Sequence, residues 1–91
     1  MAPVTPELTL LLREGCHLCE DMEQQLAELL PPGSHSLRRV DIDEHPALLA
    51  RHNERVPVLV LADKELCHHF LDLQAVREGL ASYNPRGSTV E

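Results

Sequence analysis

Leu8-Thr9-Leu10-Leu11-Leu12-Arg13-Glu14-Gly15-Cys16-His17-Leu18-Cys19 joins an apolar run to two cysteines three positions apart, and a helical pattern opens at their end. A run that is apolar on nearly every residue reads as a central strand buried on both faces. Gly15 permits the turn that swings the chain from strand into helix. Two cysteines separated by two residues can close a small disulfide ring. At a helix start the first thiol also faces unpaired backbone N–H groups and the positive end of the helix dipole, and both favour its thiolate. Cys16 is therefore read as an attacking nucleophile and Cys19 as the thiol that resolves the mixed disulfide. A structural pair competes with this reading. So does a metal site in which Cys16, His17 and Cys19 join Cys67, His68 or His69, since all are suitable ligand types. The second CxxC of such a site is missing, and the neighbours Cys67 and His68 fall on opposite faces of a strand, so no metal and no other cofactor is expected.

Downstream, Leu18, Met22, Leu26, Leu29 and Leu30 form one face of a helix of about three turns, which Pro31-Pro32-Gly33 stops. Leu37, Val40 and Ile42 alternate loosely with Arg38, Arg39 and Asp41, as in a half-exposed strand at a sheet edge. Strand, helix and strand make a right-handed βαβ unit. The acids of Asp41-Ile42-Asp43-Glu44 precede Pro46 and suit the cap of a short helix from Pro46 to His52, closed by Asn53. Val56 to Leu61 reads as a second apolar strand with Pro57 at its start, where a missing N–H does least harm. Asp63-Lys64 turns the chain back into a hairpin strand over Glu65 to Phe70, with Leu66, His68 and Phe70 on one face and Cys67 and His69 on the other. Asp72 caps a last helix carrying Leu73, Val76, Leu80 and Tyr83, which Gly79 weakens. Residues 1–84 make one domain and the polar, turn-rich residues 85–91 a frayed tail.

The chain of 91 residues is 43% hydrophobic and 25% charged, with no Trp, one Tyr and one Phe, so one small core of Leu and Val must hold it together. A net charge of −7 and the lack of any basic stripe argue against nucleic acid as a partner. No apolar run approaches the ~20 residues of a membrane span, and the first residues lack a leader pattern, so no membrane partner and a cytoplasmic location are expected. Three cysteines suit a reducing compartment with one active pair better than a secreted disulfide framework. Near the pair, His17 and Arg13 stabilise the Cys16 thiolate while Glu20 and Asp21 oppose it. His35, His45 and His52 read as surface residues, and Cys67 as a small strand hydrophobe.

The order strand, CxxC, helix, strand, helix, Val-Pro strand, hairpin strand, helix resembles the thioredoxin fold in its minimal glutaredoxin-like form, from Leu8 to about Tyr83. The likeness is to small bacterial-type glutaredoxin-like proteins of unassigned function with an Arg-Glu-Gly-Cys-His-Leu-Cys start and an Arg-Val-Pro-Val segment. It implies an α/β fold, a four-stranded mixed sheet with three helices. Cys16 and Cys19 take the redox positions, and Arg13 takes the basic position three before the first of them. Val56-Pro57 takes the place of a cis proline opposite the disulfide, and Asp72 that of the acidic cap of the last helix. His17 and Leu18 stand where glutaredoxins carry a proline and an aromatic, and His69-Phe70 replace the paired glycines that help seat glutathione. The resemblance thus implies a thiol–disulfide oxidoreductase acting on a protein or small-thiol disulfide, with Arg13, His17, Val56, Pro57 and Asp72 around the substrate and glutathione a poor ligand. A second reading is a binding or adaptor protein of the same fold that uses the Cys16 corner and the Val56-Pro57 loop without redox turnover.

Overall fold

The computed structural model describes residues 5–83, so the expected tail at 85–91 lies outside the described residues. Four strands, β1 (Glu7–Leu12), β2 (Ser36–Asp41), β3 (Val58–Leu61) and β4 (Lys64–His68), form one sheet in the order β2-β1-β3-β4. β1 runs parallel to β2, with Leu8 opposite Leu37, and antiparallel to β3, with Leu11 opposite Val58; β4 pairs back on β3. Three helices accompany them: α1 (His17–Leu29) between β1 and β2, α2 (Pro46–His52), preceded by a 3₁₀ turn at Ile42–Glu44, between β2 and β3, and α3 (Leu73–Ala81) after β4. This is the α/β minimal thioredoxin-like fold with a mixed sheet.

Alternation along the central strands divides the core between the two faces of the sheet. Leu8 and Leu10 of β1 and Leu59 and Leu61 of β3 face Met22, Leu26 and Leu30 at α1 and Val76 of α3. Leu11 and Val58 face the other way, where Ile42 and the half-buried Leu48 and Leu49 of α2 cover them. Each such leucine removed from water contributes up to about 2 kcal/mol, and apolar burial of this kind is the dominant favourable term.

Several elements differ from the sequence pattern for identifiable reasons. Leu29 is 45% exposed, and the buried stripe of α1 is Cys19, Met22, Leu26 with Leu30 beyond its end. The stripe thus begins on the second cysteine rather than on Leu18. Asp41 caps the 3₁₀ turn, accepting from the Asp43 N–H at 2.9 Å, while α2 starts at His45 with no side-chain cap. The β3–β4 register shifts between Leu59 and Val60, and this bulge turns both Leu66 and Cys67 toward the α1–α3 core instead of placing them on opposite faces. β4 stops at His68, so Phe70 lies outside the strand. Gly79 serves close packing: a Cβ there would meet Leu66 Cδ2 at 2.9 Å.

His52, expected on the surface, is buried with its Nδ1 unpartnered. Burial pushes its imidazole below the ordinary value; Arg55 and Arg51 add to this and Glu65 opposes it. The folded state therefore disfavours the imidazolium. Above about pH 6.5 the ring is neutral folded or unfolded; as pH falls through that value the unfolded chain takes up the proton first and stability is lost. Urea unfolding at about pH 7.5 and about pH 5 is expected to show a smaller loss in His52→Gln than in the wild type. At the other end of the fold, Asp72 caps α3, its carboxylate accepting from the Ala75 N–H at 3.1 Å. Asp72→Ala is expected to lower unfolding free energy by about 1 kcal/mol, and Asp72→Asn to restore most of it.

Candidate functional site

The C-terminal end of β1 is held on both sides, by Asp41 beside Leu12 and by Val58 beside Leu11. The loop that leaves β1 therefore emerges at a fixed place. Gly15 takes φ +78°, in the left-handed region that glycine enters freely, and turns the chain into α1. Cys16 is the N-cap residue, extended at φ −92° and ψ 107°, and its sulfur accepts from the Cys19 N–H at 3.1 Å. Cys16 and Cys19 are joined as a disulfide with their Cα atoms 5.2 Å apart, within the ordinary range. Cys16 is half-buried, whereas Cys19 is only 3% exposed.

The same sheet edge gathers other sequence-predicted residues. Because β3 runs antiparallel to β1 from Val58 opposite Leu11, Val56 and Pro57 lead in at the end where β1 hands over to Arg13–Cys16. The Val56–Pro57 peptide is cis; Pro57 is fully buried and Val56 half-buried. β4 ends beside β3's start, and the His69 N–H donates to the Pro57 carbonyl at 2.8 Å. This brings the chain toward Asp72 at the head of α3. His17 is exposed as the first residue of α1. Arg13 is committed to the other flank: its guanidinium reaches Asp43 at 3.0 and 3.3 Å and Asn53 Oδ1 at 2.8 Å. It fastens the loop after β1 to the 3₁₀ turn and to the end of α2.

Sequence reasoning placed His69 only as a strand residue and as a replacement for glycine. The structure gives it φ +66°, the conformation a glycine would adopt, and its Nε2 donates to the Glu54 carbonyl at 2.8 Å. The signal was the glycine position itself. Phe70, beside it, is 70% exposed. A cleft of about 150 Å³ lies between these two residues and Leu18, Asp21, Met22 and Gln25 of α1. A larger groove, about 650 Å³, opens on the α2 face among Thr9, Arg38, Arg51, His52, Val60 and Glu65. Neither the groove nor the cleft is lined by Cys16 or Cys19, but the cleft begins at Leu18, inside the CxxC segment, whereas the groove carries charges of both signs on the α2 face.

Cys67, the third cysteine, is half-buried, and burial pushes its thiol above the ordinary value, with Asp72 and Glu65 charges adding and a backbone group of Asp72 opposing. Among the described residues no group of three or more His, Cys, Asp or Glu side chains could hold a metal ion. No described helix is long and apolar enough to cross a membrane.

The sequence profile of the Glutaredoxin-like domain (DUF836) matches residues 7–81. An uncharacterized protein of Mycobacterium tuberculosis is 31% identical over 81 residues, which cover 84% of this chain and 84% of that one. Among solved structures, protein Ne2328 from Nitrosomonas europaea superposes with a TM-score of 0.76 at 39% identity, covering 86% of this chain and 94% of its own. A protein from X. campestris superposes at 0.66 and 32% identity, covering 85% and 99%.

After reduction, the two thiols differ in access and position. Iodoacetamide is expected to label Cys16 ahead of the buried Cys19 and of Cys67, with thiolate reactivity at Cys16 appearing below the free-cysteine value of about 8.5. Peptide mapping against pH checks this, and faster labelling of Cys19 would reverse the two roles.

Proposed function

The chain belongs to the Glutaredoxin-like domain (DUF836) family, and from that premise we propose that it is a thiol–disulfide oxidoreductase. The observation that carries the reading is the Cys16–Cys19 disulfide at the N-terminus of α1, with Cys16 half-buried and Cys19 only 3% exposed.

In the reduced protein the Cys16 thiolate attacks one sulfur of a substrate disulfide. The Cys16–substrate S–S bond forms, the substrate's own S–S bond breaks, and the departing sulfur leaves with the electron pair and takes up a proton. Cys19, three residues along the same helix, then loses its proton and attacks Cys16 Sγ. The mixed disulfide breaks, the second substrate thiol leaves protonated, and the Cys16–Cys19 bond closes. The substrate gains two electrons and two protons, and the protein loses them. An external thiol returns the pair to the dithiol by the same steps in reverse, which suits a reducing cytoplasm.

The helix-start N–H groups stabilise negative sulfur at Cys16. His17 adjoins Cys16 and, when protonated, would favour the thiolate further. Pro57 would shape the wall of the groove, and the Val56 backbone would pair with an extended substrate segment. Arg13 and Asp72 act in this scheme by holding the loops on either side of the groove, through Asp43 and Asn53 for the first and the head of α3 for the second. The substrate is a protein or small-thiol disulfide. Glutathione is a poor one, because His69 and Phe70 put side chains where the backbone would have to be approached.

Reduction of hydroxyethyl disulfide, followed by intact-mass analysis, tests the scheme. The wild type is expected to exchange and end as the Cys16–Cys19 disulfide. Cys19→Ser is expected to stop at the mixed disulfide on Cys16, and Cys16→Ser to lose exchange. A wild type that exchanges no faster than Cys16→Ser would overturn the reading.

A further inference from the structure

Among the described residues only two large hydrophobic side chains are exposed, Leu29 at 45% and Phe70 at 70%. Phe70 is also the chain's one phenylalanine. It does not stand alone: with His69 and Leu71 it forms one wall of a cleft whose other wall is Leu18, Asp21, Met22 and Gln25. Those four positions, spaced by three, one and three, are one face of α1, and the face begins two residues after Cys16. At about 1.5 Å of rise per residue the stripe runs on the order of 10 Å, the length of about three residues of extended chain.

The far wall is fixed. His69 is tied by its N–H to Pro57 and by its ring to the Glu54 carbonyl, so Phe70 projects from an anchored position. The cleft's volume, about 150 Å³, is similar to that of a cavity that admits benzene. Asp21 is the one carboxylate side chain in the lining, and the exposed Glu20 is its neighbour in the chain. With a net charge of −7 overall, the approach disfavours an anionic guest.

We propose that the cleft between α1 and His69–Phe70 binds an uncharged apolar side chain of a polypeptide substrate, two or three residues from the cysteine whose disulfide Cys16 attacks. This rests on the oxidoreductase reading and names its substrate class. The apolar side chain loses water against Leu18, Met22 and Phe70 while the substrate backbone lies along the helix face toward the disulfide. A carboxylate at the same place would lose its hydration next to Asp21. Glutathione, a short molecule with two carboxylates, reaches the cleft with charge and without an apolar side chain.

The test uses the full chain, reduced with dithiothreitol and freed of it. Its substrates are two disulfide-linked alanine-rich peptides that carry leucine or aspartate at the second position from the cysteine, glutathione disulfide, and hydroxyethyl disulfide as the reference. The leucine peptide is expected to react about tenfold faster than the aspartate peptide, the usual discrimination of one apolar pocket. Phe70→Ala, a substitution at an exposed position, is expected to bring that ratio close to one. A serine analogue of the leucine peptide is expected to shift the backbone amide signals of Leu18, Asp21, Gln25, His69 and Leu71. Equal rates for the two peptides, a preference retained in Phe70→Ala, or glutathione disulfide reacting faster than the leucine peptide would overturn the cleft. Failure to exchange even hydroxyethyl disulfide would instead overturn the oxidoreductase reading beneath it.

Discussion

The corner between β1 and α1 is the constraint on which the site depends. β1 is central, paired on both edges, so the position of Arg13 is set by the hydrogen-bond ladders on either side. α1 is set independently, by Cys19, Met22, Leu26 and Leu30 against the sheet. Residues 13–16 must join two fixed elements, and the left-handed Gly15 makes the join possible. Cys16 is then the N-cap by necessity. Cys19 has two duties, as the first residue of the buried stripe and as the partner sulfur. Cys19 in the core and Cys16 half-buried at the helix start is the asymmetry that the proposed attacking and resolving roles require.

Polar bonds between loops keep that corner in place. The Arg13–Asp43 pair is more than a third exposed on both sides, and such pairs contribute about 0–1 kcal/mol. Its value is positional: a planar guanidinium with partners on Asp43 and Asn53 allows few orientations of the loop that carries it. His69 does the same on the opposite side, between Pro57 and Glu54. Its Nε2 must carry a proton to donate to a carbonyl, which leaves the other ring nitrogen to face His68 Nδ1 at 3.2 Å.

The fold was legible where periodicity and chain-breaking residues agree. Leu8 to Leu12, the helix stopped by Pro31, and the cap at Asp72 came out as read because each depends on a local signal. The disulfide corner was legible for the same reason, since Gly15 and the cysteine spacing are local. The misreadings are tertiary. A bulge in β4 cannot be seen in Leu66-Cys67-His68, because the extra residue is defined by the register of β3. His52 looks polar in sequence, yet lies at the end of α2 against the sheet, where burial follows from the path of the chain. Gly79 looks like a weak helix residue until α3 and Leu66 are seen in close approach. The partners of Arg13, 30 and 40 positions away, likewise left no mark near it.

The bulge, Gly79 and His69 act together on the segment that borders the disulfide. The bulge brings Leu66 to the core face, and Gly79 lets α3 approach it closely. α3 is thereby seated against β4 near its C-terminal end, with Asp72 closing its first turn. Between the end of β4 at His68 and the cap at Asp72 only three residues remain, and the left-handed turn at His69 uses the first of them. Phe70, the second of them, is 70% exposed. Full burial of such a side chain would stabilise the domain by about 1.5–3 kcal/mol, a large fraction for a chain this small. It stays exposed all the same, beside α1 and two residues before the cap of α3, so the seating of α3 on the sheet's edge and the shape of the surface near the Cys16–Cys19 disulfide share one short segment.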